Sequence, residues 1–157
     1  MSDIILFAHP TFGVLGILAS VWVLVEALNA GEKNHKRTYY AAMVAASCMT
    51  LAFLLGGYWY VTYYAADKAI ILKGPWPFAH NFVMETKEHL FFIPLVLALY
   101  LPILTRVNLS ANRAARTMAL TVATLVVLSG LAIEGEGAVI NYGVKVAFVH
   151  TGVKGAE

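Results

Sequence analysis

The sequence predicts an all-α integral membrane protein, an antiparallel four-helix bundle with both termini outside. Three observations predict it: a surplus of apolar residues, four apolar runs of nearly bilayer-spanning length, and a lopsided distribution of positive charge. Of the 157 residues, 60% are hydrophobic and 13% charged, with a mean hydropathy of +0.72. An ordinary soluble domain has roughly 45–50% apolar and about 25% charged residues. A chain this short cannot hide so much apolar surface in one core, so some of it must face lipid. The formal charge of +2 and the single Cys48 leave no basic patch for nucleic acid, no disulfide framework and no cysteine metal motif. Nothing marks a second domain or a repeat, and residues 1–157 read as a single transmembrane domain.

A helix needs about 20 mainly apolar residues to cross a bilayer, and the runs 5–29, 39–64, 89–105 and 117–137 come close to this. The first lacks the positive flank of a signal peptide, since Asp3 precedes it, so it reads as retained. Small residues at helical spacing, Gly13, Gly16 and Ser20 in the first span and Ala41, Ala42, Ala45 and Ala46 in the second, permit close helix contact in lipid. The segments 65–88 and 138–150 are too polar for full crossings, and they read as interfacial pieces or, for the second, a short external helix. Topology follows from the basic residues. Lys33, Lys36 and Arg37 lie between spans 1 and 2, and Arg106, Arg113 and Arg116 between spans 3 and 4, so all four arginines share one side. Lys68, Lys73, Lys87, Lys145 and Lys154 lie on the other. The arginine-rich short loops go inside. The aromatic stretch Tyr58–Tyr64 and Trp76 then mark an outer belt.

With this orientation His9, His80, His89 and His150 fall on the outer side and only His35 inside, while Glu85, Glu88, Glu134 and Glu136 collect at the outer ends of spans 3 and 4. Ionisable groups at membrane depth are costly and tend to face pairs, cavities or sites. His9 stands just before Pro10, which suits a first helical turn and would fix the aim of the imidazole. His9 and His89 come from helices at similar depth, the arrangement a b-type haem needs for two axial imidazoles, with Gly13 and Gly16 leaving room for the porphyrin. His80 and His150 are further haem-ligand candidates. The plainer reading of a histidine at a bilayer interface is a solvated or hydrogen-bonded anchor. Glu26 reads as an end-of-helix charge within snorkelling reach, and the tyrosines as belt or as the lining of a quinol pocket.

The same residues admit another chemistry: His9, His89, Glu85, Glu88 and Glu134 would serve as a mixed shell for iron, zinc or copper. The di-iron helix signature Glu-x-x-His is absent, since Glu85 is followed at the third position by Glu88 and then His89. His80 and Met84, four apart, make one soft pair for copper. No His-Glu-x-x-His, Cys-x-x-Cys-His or nucleophile elbow supports a hydrolase.

The opening Ala8-His9-Pro10, His89 at the head of the third span, and the stretch from Gly135 through Tyr142-Gly143 to Val146 resemble a family of small bacterial four-helix membrane proteins. That family begins on His-Pro and ends its fourth helix on a glycine-rich Tyr-x-x-Gly pattern; Glu136 and Lys145 stand where it has Gly. The resemblance implies that His9 and His89 are haem ligands. The chain also resembles small four-helix assembly factors of haem–copper oxidases, whose two histidines would correspond to His35 and His89. The expectation is a multi-pass protein of the bacterial inner membrane, a b-type cytochrome-like carrier with haem near the periplasmic face. It would exchange electrons with quinone and a periplasmic partner, as one component of a quinol-linked oxidoreductase. Glu85, Glu88 and Glu134 would tune the potential or accept protons. The alternative is a metal-handling, assembly or structural subunit, as a homo-oligomer or within a larger complex.

Overall fold

A computed structural model describes residues 2–152; the side chains of Ser2 and Thr151 are not described, and Lys154, counted above as an outer charge, lies outside the described residues. The protein is all-α, 89% helical, with no strand among the described residues. Its helices are α1 (Ser2–Leu28), α2 (His35–Lys73), α3 (Glu85–Leu90), α4 (Phe92–Leu104) and α5 (Arg113–Thr151), with a 3-10 turn at Glu32–Asn34 and a π-helical segment at Ala79–Met84. The π segment, α3 and α4 follow one another as a single bent rod, so four rods result, each long and apolar enough to cross a membrane. The bend at Phe91 lies three residues before Pro94, which cannot donate to the Leu90 carbonyl.

Two helices run further than their apolar content alone indicates. α2 continues through 65–73 as unbroken helix until Gly74, and α5 continues through 138–150 until Gly152, which takes the left-handed conformation at φ 64°. Asp67, Lys68 and Lys145 end the apolar runs without ending the helices, because a solvated charge is compatible with helical backbone whereas Gly74-Pro75 is not. α1 likewise starts at Ser2, so Pro10 sits inside the helix and not in its first turn, and His9 does not open it.

Contacts fix the directions of the rods. His9 meets Ala52 and Gly56, and Glu26 meets Arg37, so α1 and α2 run opposite ways. Gly13 meets Glu134 and the Ala27 carbonyl meets Arg116, so α5 opposes α1; Ala79 lies on Gly143 and Lys87 on Gly137, so the bent rod opposes α5. The main core is a seam of small side chains: Ala41, Ala42 and Ala45 on α2, Ala98 on α4, and Ala119 and Ala123 on α5 are fully buried. Large apolar residues such as Phe7, Leu18, Val96 and Leu128 point outward. Alanine thus lines the closest helix contacts, alongside larger core residues such as Val23, Leu101 and Val126, while many other large side chains face outward, a packing that suits helices in lipid. Its buried serine and threonine hydroxyls bond to carbonyls four residues back: Ser20 donates to Gly16, Thr38 to Asn34 and Thr105 to Leu101, at 2.8–2.9 Å. A second core gathers Tyr64, Ile71, Ala79, Val83, Met84 and Ile140 at the far end of α2 and α5.

The arginine end is tied by hydrogen bonds. Asn34 donates to the carbonyls of Glu26 and Asn29, at 3.1 and 2.8 Å, and accepts from the Gly31 amide. Arg116 reaches from α5 to the last carbonyls of α1, Ala27 at 2.8 Å and Leu28 at 2.6 Å, where the positive charge also meets the negative end of the helix dipole. Arg116→Ala is expected to lower stability by about 1–2 kcal/mol, two half-exposed charged hydrogen bonds being lost. A thermal midpoint in detergent equal to that of the parent would show the tie to be dispensable. Glu26 is buried and accepts from Arg37 and from Trp22 Nε1, each at 3.1 Å, so it joins α1 to α2 as a structural charge.

Candidate functional site

The opposite end collects the histidines and carboxylates, and each is placed by a specific device of the fold. His9 stands between α1 and α2. Its Nδ1–H donates to the Ala52 carbonyl at 2.7 Å, and its ring lies so close over Gly56 that a Cβ there would come within 2.5 Å of Cε1. His89 sits exposed on α3, with Nδ1 on the carbonyl of Glu85, one turn back, at 2.5 Å. In both rings the Nδ1–H bond selects the tautomer whose Nε2 lone pair is available, and no described residue bonds to either Nε2.

His80 differs. The π-helical segment turns it inward until it is 3% exposed; its Nδ1 shares a hydrogen bond with the Tyr64 hydroxyl at 2.9 Å, and its Nε2 stands 3.7 Å from Glu85 Oε1, beyond hydrogen-bond reach. Tyr64 is itself buried and stacks on Tyr60, ring centroids 5.2 Å apart at 24°, and the Tyr60 hydroxyl is directed at Glu88. A chain of polar groups thus runs Glu88, Tyr60, Tyr64, His80, Glu85, from the interior to the half-exposed Glu85 carboxylate. His150 is exposed in the last turn of α5.

Glu134 reaches from α5 to α1 and occupies the hollow at Gly13, where a Cβ would overlap its Oε1; the hollow at Gly16 is filled by Met49. The room expected there for a porphyrin is therefore taken by these two side chains, and a macrocycle held by His9 does not enter that seam. Lys87 lies over Gly137, its Nζ 2.9 Å from where a Cβ would stand, within Coulombic range of Glu134, Glu136 and His9. Glu88 Oε1 and Glu136 Oε2 are buried without a hydrogen-bond partner. Among the described residues no three His, Cys, Asp or Glu side chains converge as a metal site, so His9, His89, Glu85, Glu88 and Glu134 are not gathered into one shell.

Sequence reasoning singled out neither Lys87 nor the Tyr64–His80 pair as site features. Lys87 sits in the charged run Glu85–His89, where nothing marks it off from a solvated face. Tyr64 looks like any other belt tyrosine until the Gly74-Pro-Trp-Pro reversal brings His80 back beside it.

Fold and site together define an all-α protein with four helices long and apolar enough to cross a membrane and a histidine- and carboxylate-rich cluster at one end of them. Compared with protein-family profiles, with curated proteins and with solved structures, the chain matches none.

Proposed function

We propose that this chain is a multi-pass protein of the bacterial inner membrane, with both termini and the histidine end outward, that carries electrons as a b-type cytochrome between quinone and a periplasmic partner. The orientation rests on the arginines at the opposite end. The observation that carries the reading is the state of the two imidazoles. His9 and His89 each present Nδ1 to a backbone carbonyl and leave Nε2 without a protein partner, the arrangement that prepares a histidine to ligate iron. His80 differs in being buried, with Nδ1 on a side-chain hydroxyl in place of a backbone carbonyl and Nε2 facing the Glu85 carboxylate.

In this reading His9 and His89 would hold the haem through Nε2, with the macrocycle outside the seam that Glu134 and Met49 fill. When bound, the haem would supply one-electron chemistry at a potential set by its ligands and surroundings. The chain's own contributions are separate. Ala52 holds the His9 ring in one tautomer, and Gly56 lets it lie flat against α2. Lys87 places a positive charge within Coulombic range of it, Glu134 packs one turn further along α1 at Gly13, and Tyr64, His80 and Glu85 line up toward the surface, where a proton moving between His80 and Glu85 would have to close a 3.7 Å gap.

The test is a reduced-minus-oxidised spectrum of the purified protein. A haem α-band is expected, weakened in His9→Ala and in His89→Ala and absent from the double variant. Absence of any band in the parent, or an unchanged band in the double variant, overturns the reading. Stoichiometric copper or zinc in a colourless protein would instead support metal handling. Stoichiometric partner chains without metal would support a structural subunit.

A further inference from the structure

At the arginine end, away from the histidine cluster, a groove of about 210 Å³ lies between the start of α2 and the turn after α4, lined by His35, Lys36, Tyr39, Tyr40 and Arg106. We infer that this groove binds the phosphate of an anionic phospholipid.

Charge is the first argument. The groove draws Lys36 from α2 and Arg106 from the turn after α4, and no acidic residue lines it. Two other cations at this end are engaged elsewhere, Arg37 with Glu26 and Arg116 at the end of α1, and Lys33 and Arg113 lie outside the groove. The neighbouring groove of about 710 Å³ is neutralised from within, setting Glu26 and Glu32 beside Lys33 and Arg37. Lys36 and Arg106 have no carboxylate partner among the described residues. Two positive charges sharing one concavity repel each other and favour an anion between them.

Hydrogen bonding is the second. His35 lines this groove, and its Nδ1 is buried without a hydrogen-bond partner, so its desolvation is not offset within the chain. In its protonated-Nδ1 form it is a donor, as are the Tyr39 and Tyr40 hydroxyls, the ammonium and the guanidinium. A set composed of donors suits phosphate oxygens, which only accept.

Position is the third, and it separates a lipid from a free anion. Met43 stands one helical turn from Tyr39 on α2, and Ile103 one turn before Arg106 on α4; both are exposed apolar side chains, and Val107 beside Arg106 is another. The groove is therefore a polar mouth at the rim of an apolar surface, where a headgroup docks above and acyl chains run alongside. Basic pockets between helices on the cytoplasmic side bind lipid head groups by this division. The inference rests on the membrane placement proposed above and is independent of haem.

The experiment uses the full chain reconstituted in phosphatidylcholine vesicles containing a small fraction of spin-labelled phosphatidylglycerol, with the motionally restricted fraction of label as the readout. The parent is expected to enrich the anionic label several-fold over spin-labelled phosphatidylcholine. The Lys36→Gln/Arg106→Gln variant is expected to bring that ratio close to one. Lys33→Gln/Arg113→Gln, which removes the same charge at the same end outside the groove, is expected to retain it. Equal loss in the two double variants would overturn the inference in favour of a general surface potential. Displacement of the label by millimolar inorganic phosphate, at constant ionic strength, would overturn it in favour of a free-phosphate site. Should the groove variant fail to reconstitute, Arg106→Lys keeps the charge but loses the bidentate fork; it is expected to lower the enrichment measurably, and parent-like enrichment there would overturn the inference. A chain that does not enter vesicles at all would sink the membrane placement itself.

Discussion

Replacing Gly56 by leucine is expected to displace His9 from its seat, whereas the same replacement at Gly57, one residue on, is expected to be tolerated. A Cβ at Gly56 would stand 2.5 Å from His9 Cε1 and 2.6 Å from Nδ1, and a Cβ at Gly57 would meet nothing within 4 Å. Overpacking a tight contact costs about 1–3 kcal/mol, and here the cost falls on a ring whose hydrogen bond to Ala52 depends on staying flat against α2. The Gly56→Leu protein should unfold at a lower temperature in detergent than the parent, and any haem band should shrink as it does in His9→Ala. Gly57→Leu should match the parent in both. Equal behaviour of the two variants would mean that His9 relocates freely, and its orientation would then explain nothing about ligation.

The second large effect is expected at Tyr64. Tyr64→Phe removes one hydroxyl and leaves His80 Nδ1 buried without its partner at 2.9 Å, an unsatisfied group worth about 1–3 kcal/mol. Tyr64→Phe/His80→Leu removes both ends of the bond and should recover part of the loss, because a paired deletion leaves no orphan. Thermal midpoints of the single and double variants give the coupling directly. Additive losses would show that the two side chains are merely neighbours. Both variants spare His9 and His89, so an α-band that persists in them while stability falls separates the stabilising role of this pair from ligation.

The four helices of membrane-spanning length and their inner seam were legible in the sequence because both depend on composition along a run. Apolar length marks a span, and the spacing of Ala41, Ala42, Ala45 and Ala46 marks the face that packs; all four are buried. The helix ends were not legible in the same way. Hydropathy drops at Asp67 and Lys68, yet the backbone there continues to Lys73, since what stops a helix is the loss of its hydrogen bonds at Gly74-Pro75. His9 was legible as a candidate, but its neighbours were not: the identity of the carbonyl it meets and the side chain that fills Gly13 depend on the relative rotation of three helices. The Tyr64–His80 pair depends on the register set by a four-residue reversal and a π-helical segment, and a single residue of slip there would turn His80 outward. Long-range register is a property of packing, and one sequence read alone carries no trace of it.

The two long helices have a consequence for what holds the bundle together. At 39 residues each, α2 and α5 measure about 58 Å, nearly twice the ~30 Å of a bilayer's hydrocarbon. With the alanine seam in lipid, the core of Tyr64, Ile71, Val83 and Ile140 projects into water. Water drives the burial of that outer core, but it contributes no such force to the seam, which rests on close contact between small side chains. In the membrane placement proposed above, one continuous pair of helices passes through two solvents and is held by a different force in each. Urea is then expected to act chiefly on the aromatic end and strong detergent on the alanine end, giving the protein two separable ways to come apart.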